Sequence, residues 1–245
     1  MTAEMLLLVT GALAAGFVNG LAGFGTALFS LGFWLQIYPP REAVALSVAT
    51  ALVTGLQGLW IVRREIRATR RRLARFLLPA LLGIPLGAAA LGWIEPRPLK
   101  LVIGGFMVIY GVFFLLRRRL PRFERPTPWA DAGVGFAGGV LGGLAGLSGA
   151  LPAMWCALRP WPRHETRAVM QPFNVAVLAI TTVAFAVQGA YAPLATPLLV
   201  VIGCALVAAQ VGIATFQRLS DVAFRWLVIG LMLVSGLVLL GRELL

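Results

Sequence analysis

Few side chains in this chain could do chemistry, and they sit in two kinds of place. Ser148 stands in "GLSG" (146–149), a glycine-flanked serine of the sort an intramembrane nucleophile occupies. Such a serine needs a base at the same depth. The one histidine, His164, falls in a charged link outside the apolar run. Cys156 and Cys204 lie in separate apolar runs and read as buried small hydrophobes, not as a redox or metal pair. The other polar groups inside apolar runs are neutral: Asn19, Ser47, Thr50, Thr181, Gln210, and the pair Gln171 and Asn174 of "MQPFN" (170–174), which also holds a kinking Pro172. Each can hydrogen-bond a neighbouring helix or a small polar solute. All nine acidic residues stand at segment ends or in links. A cation or proton pump usually carries a carboxylate within its spans, whereas an anion carrier is served by having none. The chemistry on offer is recognition of a small anion by uncharged donors. Neither a metal nor a cofactor is called for, and no enzyme is expected.

These groups need a scaffold, and the composition says which. Of 245 residues, 60% are hydrophobic and 12% charged, and the mean hydropathy is +0.90. An ordinary soluble domain is about 25% charged. Apolar segments run over 5–38, 43–62, 76–93, 99–116, 130–158, 168–188, 194–216 and 223–241, and several exceed the roughly 18 residues of a candidate membrane span. The chain reads as an all-α, multi-pass membrane protein. Its net charge of +12 comes from short clusters such as "RREIRATRRRLAR" (63–75) and "RRRLPRFER" (117–125). Clusters between apolar runs mark cytoplasmic loops that face anionic membrane lipid, and do not suggest a nucleic-acid surface.

Six of the eight segments have span length; 5–38 and 130–158 do not. As one helix, 5–38 would be about 50 Å long against a hydrocarbon core of about 30 Å. The basic clusters place the links at 63–75, 117–125, 159–167 and 217–225 on one side. Segment 130–158 then starts and ends on that side, so it must enter and turn back. The same logic applied to 5–38 puts both of its ends on the other side. All Lys and Arg residues except Arg41, Arg97, Lys100 and Arg242 fall inside on this arrangement. The glycines explain how such a segment breaks. "GGVLGGLAGLSGALP" (138–152) is rich in them, and glycine permits a turn and close backbone packing at membrane depth. Small-residue packing between helices is the alternative reading of the same pattern.

The two anomalous segments are copies. "GLAGFGTALFSLGFWLQIYPPREAVA" (20–45) aligns without gaps on "GLAGLSGALPAMWCALRPWPRHETRA" (143–168), an offset of 123. "KLVIGGFMVIYG" (100–111) aligns on "RWLVIGLMLVSG" (225–236), an offset of 125. The expected organisation is therefore two repeats, 1–122 and 123–245. Each has one broken re-entrant hairpin and three spans. Three crossings are odd, so the second repeat is inverted, as in many secondary transporters. In each hairpin the second half-helix begins at membrane depth with free N–H groups and the positive end of its dipole. Ser148 is the expected N-cap of one, and Gly25 and Thr26 hold the matching place in the other. Two such helix starts facing each other make a site for a small anion. The expected binding residues are Asn19, Gly20, Gly23, Gly25, Thr26, Thr50, Gly143, Gly146, Ser148, Gly149, Gln171 and Asn174.

The duplicated hairpins "GFVNGLAGFG" and "GGVLGGLAGLSGALP", each followed by a short basic link and an Ala-rich span, resemble the TauE/SafE family of sulfite and organosulfonate exporters. The resemblance covers nearly the whole chain. It implies transport of a small sulfur-containing or carboxylate anion across the bacterial inner membrane. It also implies that the turns at Gly20, Gly23, Gly25 and at Gly143, Gly146, Ser148 and Gly149 line the substrate path. Two alternatives stay open on the residues alone: a passive anion channel, and an intramembrane serine protease built on Ser148.

Overall fold

The computed structural model describes residues 3–90, 96–116, 123 and 125–244. Within these the chain is helical: α1 (Ala3–Ala22), α2 (Thr26–Trp34), α3 (Pro40–Ile61), α4 (Arg63–Ala90), α5 (Pro96–Leu116), α6 (Pro128–Ala145), α7 (Ala150–Ala157), α8 (Arg163–Val187), α9 (Ala195–Arg218) and α10 (Asp221–Leu244), with one 3-10 turn at Ala192–Leu194. Among the described residues, six helices are long and apolar enough to cross a membrane: 3–22, 41–61, 63–90, 163–187, 192–218 and 221–244. Large apolar side chains such as Trp60, Leu82, Ile109 and Leu199 point outward from the bundle, as they must when the solvent is lipid.

Segments 5–38 and 130–158 each divide into a long and a short helix. The nine residues of α2 and eight of α7 rise only about 13 Å and 12 Å. Each short helix doubles back along its long partner. The Trp34 indole donates to the Leu8 carbonyl at 3.2 Å. The Trp155 indole donates to Asp131 at 2.7 Å. Side-chain contacts fix where the hairpins open. Arg41, just beyond α2, bonds the Gln188 carbonyl at the end of α8, and Arg242 at the end of α10 bonds the Leu31 carbonyl. Arg163, just beyond α7, bonds the Phe216 carbonyl at the end of α9, and its N–H bonds Asp221 at the start of α10. The first hairpin thus opens at one end of the bundle and the second at the other.

The helix contacts repeat at the offsets read from sequence. A Cβ on Gly16 of α1 would meet the Ala205 carbonyl of α9 at 2.2 Å, and one on Gly139 of α6 would meet the Ala80 carbonyl of α4 at 2.4 Å. Gly20 against Ala209 is matched by Gly143 against Ile84, and Gly212 against Phe17 by Gly87 against Val140. Residues 16, 17 and 20 lie 123 before 139, 140 and 143, while 80, 84 and 87 lie 125 before 205, 209 and 212. Each long hairpin helix therefore packs on a helix from the opposite half of the chain.

Helix starts differ from expectation in two places. The cluster 63–75 is not a loop; it is the first half of α4. Val62, Ile66, Thr69, Leu73 and Phe76 recur at helical spacing, with Val62, Thr69 and Phe76 buried. That stripe holds the arginine-rich turns in a helix, and the density of charge hides it in a hydropathy reading. The link 159–167 is also shorter than expected, because α8 begins at Arg163 behind Pro162, with Glu165 in its first turn. The end of the span expected at 76–93 and most of the link 117–125 lie outside the described residues.

Candidate functional site

The two breaks are made by left-handed glycines. Gly23 has φ 80° and Gly25 φ 92°; Gly146 has φ 68°. A side chain at such a φ is strained, so glycine is what lets the helix stop here. The Gly23 N–H bonds the Asn19 carbonyl at 2.8 Å and the Gly146 N–H bonds the Gly142 carbonyl at 3.0 Å, closing the long helices with a left-handed cap. Gly25 is the N-cap of α2 and Gly149 the N-cap of α7. Ser148 does not cap α7 as expected. Its hydroxyl donates across to the Asn174 carbonyl oxygen of α8, because Gly149 lies one residue closer to the helix.

The tips touch each other. A Cβ on Gly149 would lie 2.5 Å from the Cβ of Phe24, and one on Gly146 would lie 3.8 Å from that of Ala27. Between them is a cavity of about 10 Å³ lined by Gly25, Thr26, Ala27, Gly146, Gly149 and Asn174, among others. That is room for about one water. No lining residue is acidic. Thr26 is 2% exposed, and its hydroxyl has no hydrogen-bond partner. The carbonyl oxygen of the Asn19 side chain is likewise buried and unpartnered. A buried polar group without a partner costs about 1–3 kcal/mol, so these two oxygens stand out in a bundle whose other site groups are paired.

Helix α8 ties the tips together with one face. Arg167, Gln171 and Asn174 follow at i, i+4 and i+7. Asn174 donates to the Gly23 carbonyl at 3.2 Å. Gln171 donates to the Gly55 carbonyl of α3 at 2.9 Å. Arg167 donates to the Gly20 carbonyl at 2.7 Å and the Leu21 carbonyl at 3.4 Å, and its Nε bonds Gln171 at 3.3 Å. Its guanidinium is fully buried and stacks 4.3 Å from the Phe216 ring. Arg167 thereby satisfies the last carbonyls of α1 and offsets the negative end of that helix. Sequence reasoning missed it by assigning it to a solvated link. Its place on the Gln171–Asn174 face was the available signal.

Of the expected residues, the structure gathers Gly23, Gly25, Thr26, Gly146, Ser148, Gly149 and Asn174 around the tips, with Gln171 next to Gly23. Asn19 bonds Thr54 at 2.6 Å and the Ala51 carbonyl at 3.0 Å, tying α1 to α3. Three expected residues lie away from the tips. Gly20 and Gly143 face neighbouring helix backbones and serve close packing. Thr50 turns its hydroxyl back to the Leu46 carbonyl at 2.7 Å. Among the other polar groups weighed, Ser47 pairs with Ser30 at 2.7 Å, Thr181 bonds its own helix at Val177, and Gln210 is exposed. The glycines divide by position: Gly23, Gly25 and Gly146 are left-handed where helices stop, while Gly16, Gly20, Gly139 and Gly143 face neighbouring helix backbones. His164 packs edge-on to Phe216 at 5.3 Å, whereas the Ser148 partner is an amide, which has no basic site to take the serine proton. Among the described residues no group of three or more His, Cys, Asp or Glu could hold a metal.

The family model described as "Sulfite exporter TauE/SafE" matches residues 7–239. No curated protein matches the chain.

Proposed function

Because this chain belongs to the TauE/SafE sulfite exporter family, we propose that it carries a small sulfur-containing anion, sulfite or an organosulfonate, by alternating access at the meeting point of its two glycine tips. The family is one of membrane transporters, and the six apolar helices agree with a multi-pass chain. The finer reading is ours. Each hairpin is a re-entrant loop, the halves 1–122 and 123–245 are inverted repeats in a bacterial inner membrane, and the helix starts of α2 and α7 face the substrate.

One observation carries the binding site: the buried Thr26 hydroxyl that has no partner, in a cavity lined by both tips and free of carboxylates. Amides at the start of α2 and a neutral hydroxyl suit an oxyanion, while α7 offers fewer donors because the Ala150 N–H bonds the Leu147 carbonyl at 3.4 Å and Pro152 has none. The fixed positive charge of Arg167, behind the tip of α1, favours the same sign. At about 10 Å³ the cavity is closed to a sulfur oxyanion, so loading requires the tips to part. The opposite openings of the two hairpins let either end be the one that opens. A carrier of this kind saturates and exchanges, whereas a channel does not.

The test is Thr26→Val, a near-isosteric loss of the hydroxyl. It removes an unpaired buried group, so thermal stability in detergent should stay level or rise by up to about 1 kcal/mol. The upward melting shift caused by sulfite, and counterflow in proteoliposomes, should both fall. Unchanged sulfite response with unchanged counterflow rejects the site.

A further inference from the structure

A second cavity, of about 310 Å³, opens at the end of the bundle where α4, α6 and α8 begin. Asp131, in its wall, is fourteen residues from the end of α6, about 20 Å from the glycine tip. Five arginines line it: Arg71, Arg72 and Arg75 of α4, Arg125, and Arg159 of the α7–α8 link, with Phe123 and Trp161 as aromatic walls.

Its charge is far from balanced. Arg159 is buried and held rigidly. It donates to the Phe123 and Arg125 carbonyls at 3.2 and 2.9 Å and to Asp131 at 3.0 Å, and it stacks on Trp155 at 4.9 Å. Its Nε is buried with no partner. Arg72 pairs with Glu165 at 2.5 Å, and Arg75 stands 3.8 Å from Asp131. Among the described residues no carboxylate pairs with Arg71 or Arg125. Among the described residues two carboxylates thus stand against five guanidinium groups, in a space as large as a small-molecule site.

We propose that this cavity binds a phosphate-bearing anion. Guanidinium forks match phosphate oxygens in pairs, and basic pockets between membrane helices take phosphorylated headgroups. The same chemistry fits a phospholipid headgroup or a free phosphate compound. The site is separate from the glycine tips and does not rest on the transport reading.

The test uses the full chain and two probes: cardiolipin doped into phosphatidylcholine nanodiscs, and pyrophosphate added in neutral detergent, each read by native mass spectrometry and titration. Saturable binding is expected. Arg71→Ala with Arg125→Ala, both exposed side chains, should weaken it about 25-fold, near five-fold per arginine. Arg63→Ala with Arg64→Ala, exposed on α4 and outside the cavity, should change it less than about two-fold. Should the first double variant melt differently from the parent, Arg125→Ala alone carries the comparison at about five-fold. Binding of cardiolipin alone supports a lipid headgroup; binding of both probes supports a site for the phosphate group itself. Failure of both probes, or equal weakening in the two double variants, overturns the proposal.

Discussion

Gly149→Ala is the most direct test of tip-to-tip contact. Gly149 has φ −82° and ψ −15°, a conformation alanine adopts freely, so any effect is steric. The new methyl would lie 2.5 Å from the Phe24 Cβ and 3.3 Å from its Cγ. Apolar carbons rest at about 3.5–4.0 Å, so the tips must part by about 1 Å or more. Phe24 is 2% exposed and packed against Leu21, Ala27 and Leu147 in one core, so it cannot swing aside cheaply. Overpacking of this kind costs about 1–3 kcal/mol. The same methyl at Gly203, where it meets nothing within 4 Å, should gain about 0.5–1 kcal/mol of helix stability. Thermal unfolding by tryptophan fluorescence compares the two. Counterflow in proteoliposomes should fall in Gly149→Ala, because the closed arrangement of the tips is the one disfavoured. If Gly149→Ala melts with Gly203→Ala and transports like the parent, the tips do not touch in the protein at work, and the site falls with that contact.

Three further outcomes follow from the same geometry. Arg167→Met strips the donors from the Gly20 and Leu21 carbonyls and should cost about 3 kcal/mol or more, since hydrogen bonds to charged groups are worth about 1.5–3 kcal/mol each; hydrogen exchange confined to the last turn of α1 should quicken, and parent-like exchange there would remove its capping role. Gly20→Ala and Gly143→Ala, whose new methyls would lie 2.1 and 2.3 Å from carbonyl oxygens of the facing helix, should each lose about 1–3 kcal/mol; a loss in only one would break the equivalence of the two contacts. Single cysteines at Gln36 and Trp161, in a background lacking Cys156 and Cys204, should label from opposite sides of a sealed vesicle, and labelling of both from one side would end the inverted reading.

The glycine tips were legible because the two halves spell them alike, and a left-handed glycine leaves a mark in sequence that a packed leucine does not. Gly23 and Gly146 end the duplicated "GLAG", and Gly25 stands two residues on, where the second copy has Ser148. The role of Ser148 was not legible. Whether it caps α7 or reaches Asn174 depends on one residue of register and on where α8 passes. Arg167 was hidden for a related reason: an arginine beside other arginines reads as solvated, and only the end of α1 and Phe216 of α9, brought against it by the fold, bury it. The arginine-rich start of α4 was lost to charge density, although the stripe of Val62, Ile66, Leu73 and Phe76 around Thr69 was there to be counted.

Hydrophobic run length, arginine placement and an internal copy are properties of the chain taken in order. They determined an all-helical membrane protein with two broken segments and its carboxylates at segment ends or in links. Which glycines break and which merely touch, and which polar groups meet, was decided in tertiary structure. Each long hairpin helix leans on a helix from the other half, more than fifty residues away along the chain. That partnership brings the two tips together, and so determines that Thr26, Gly149 and Asn174 line one space the size of a single water.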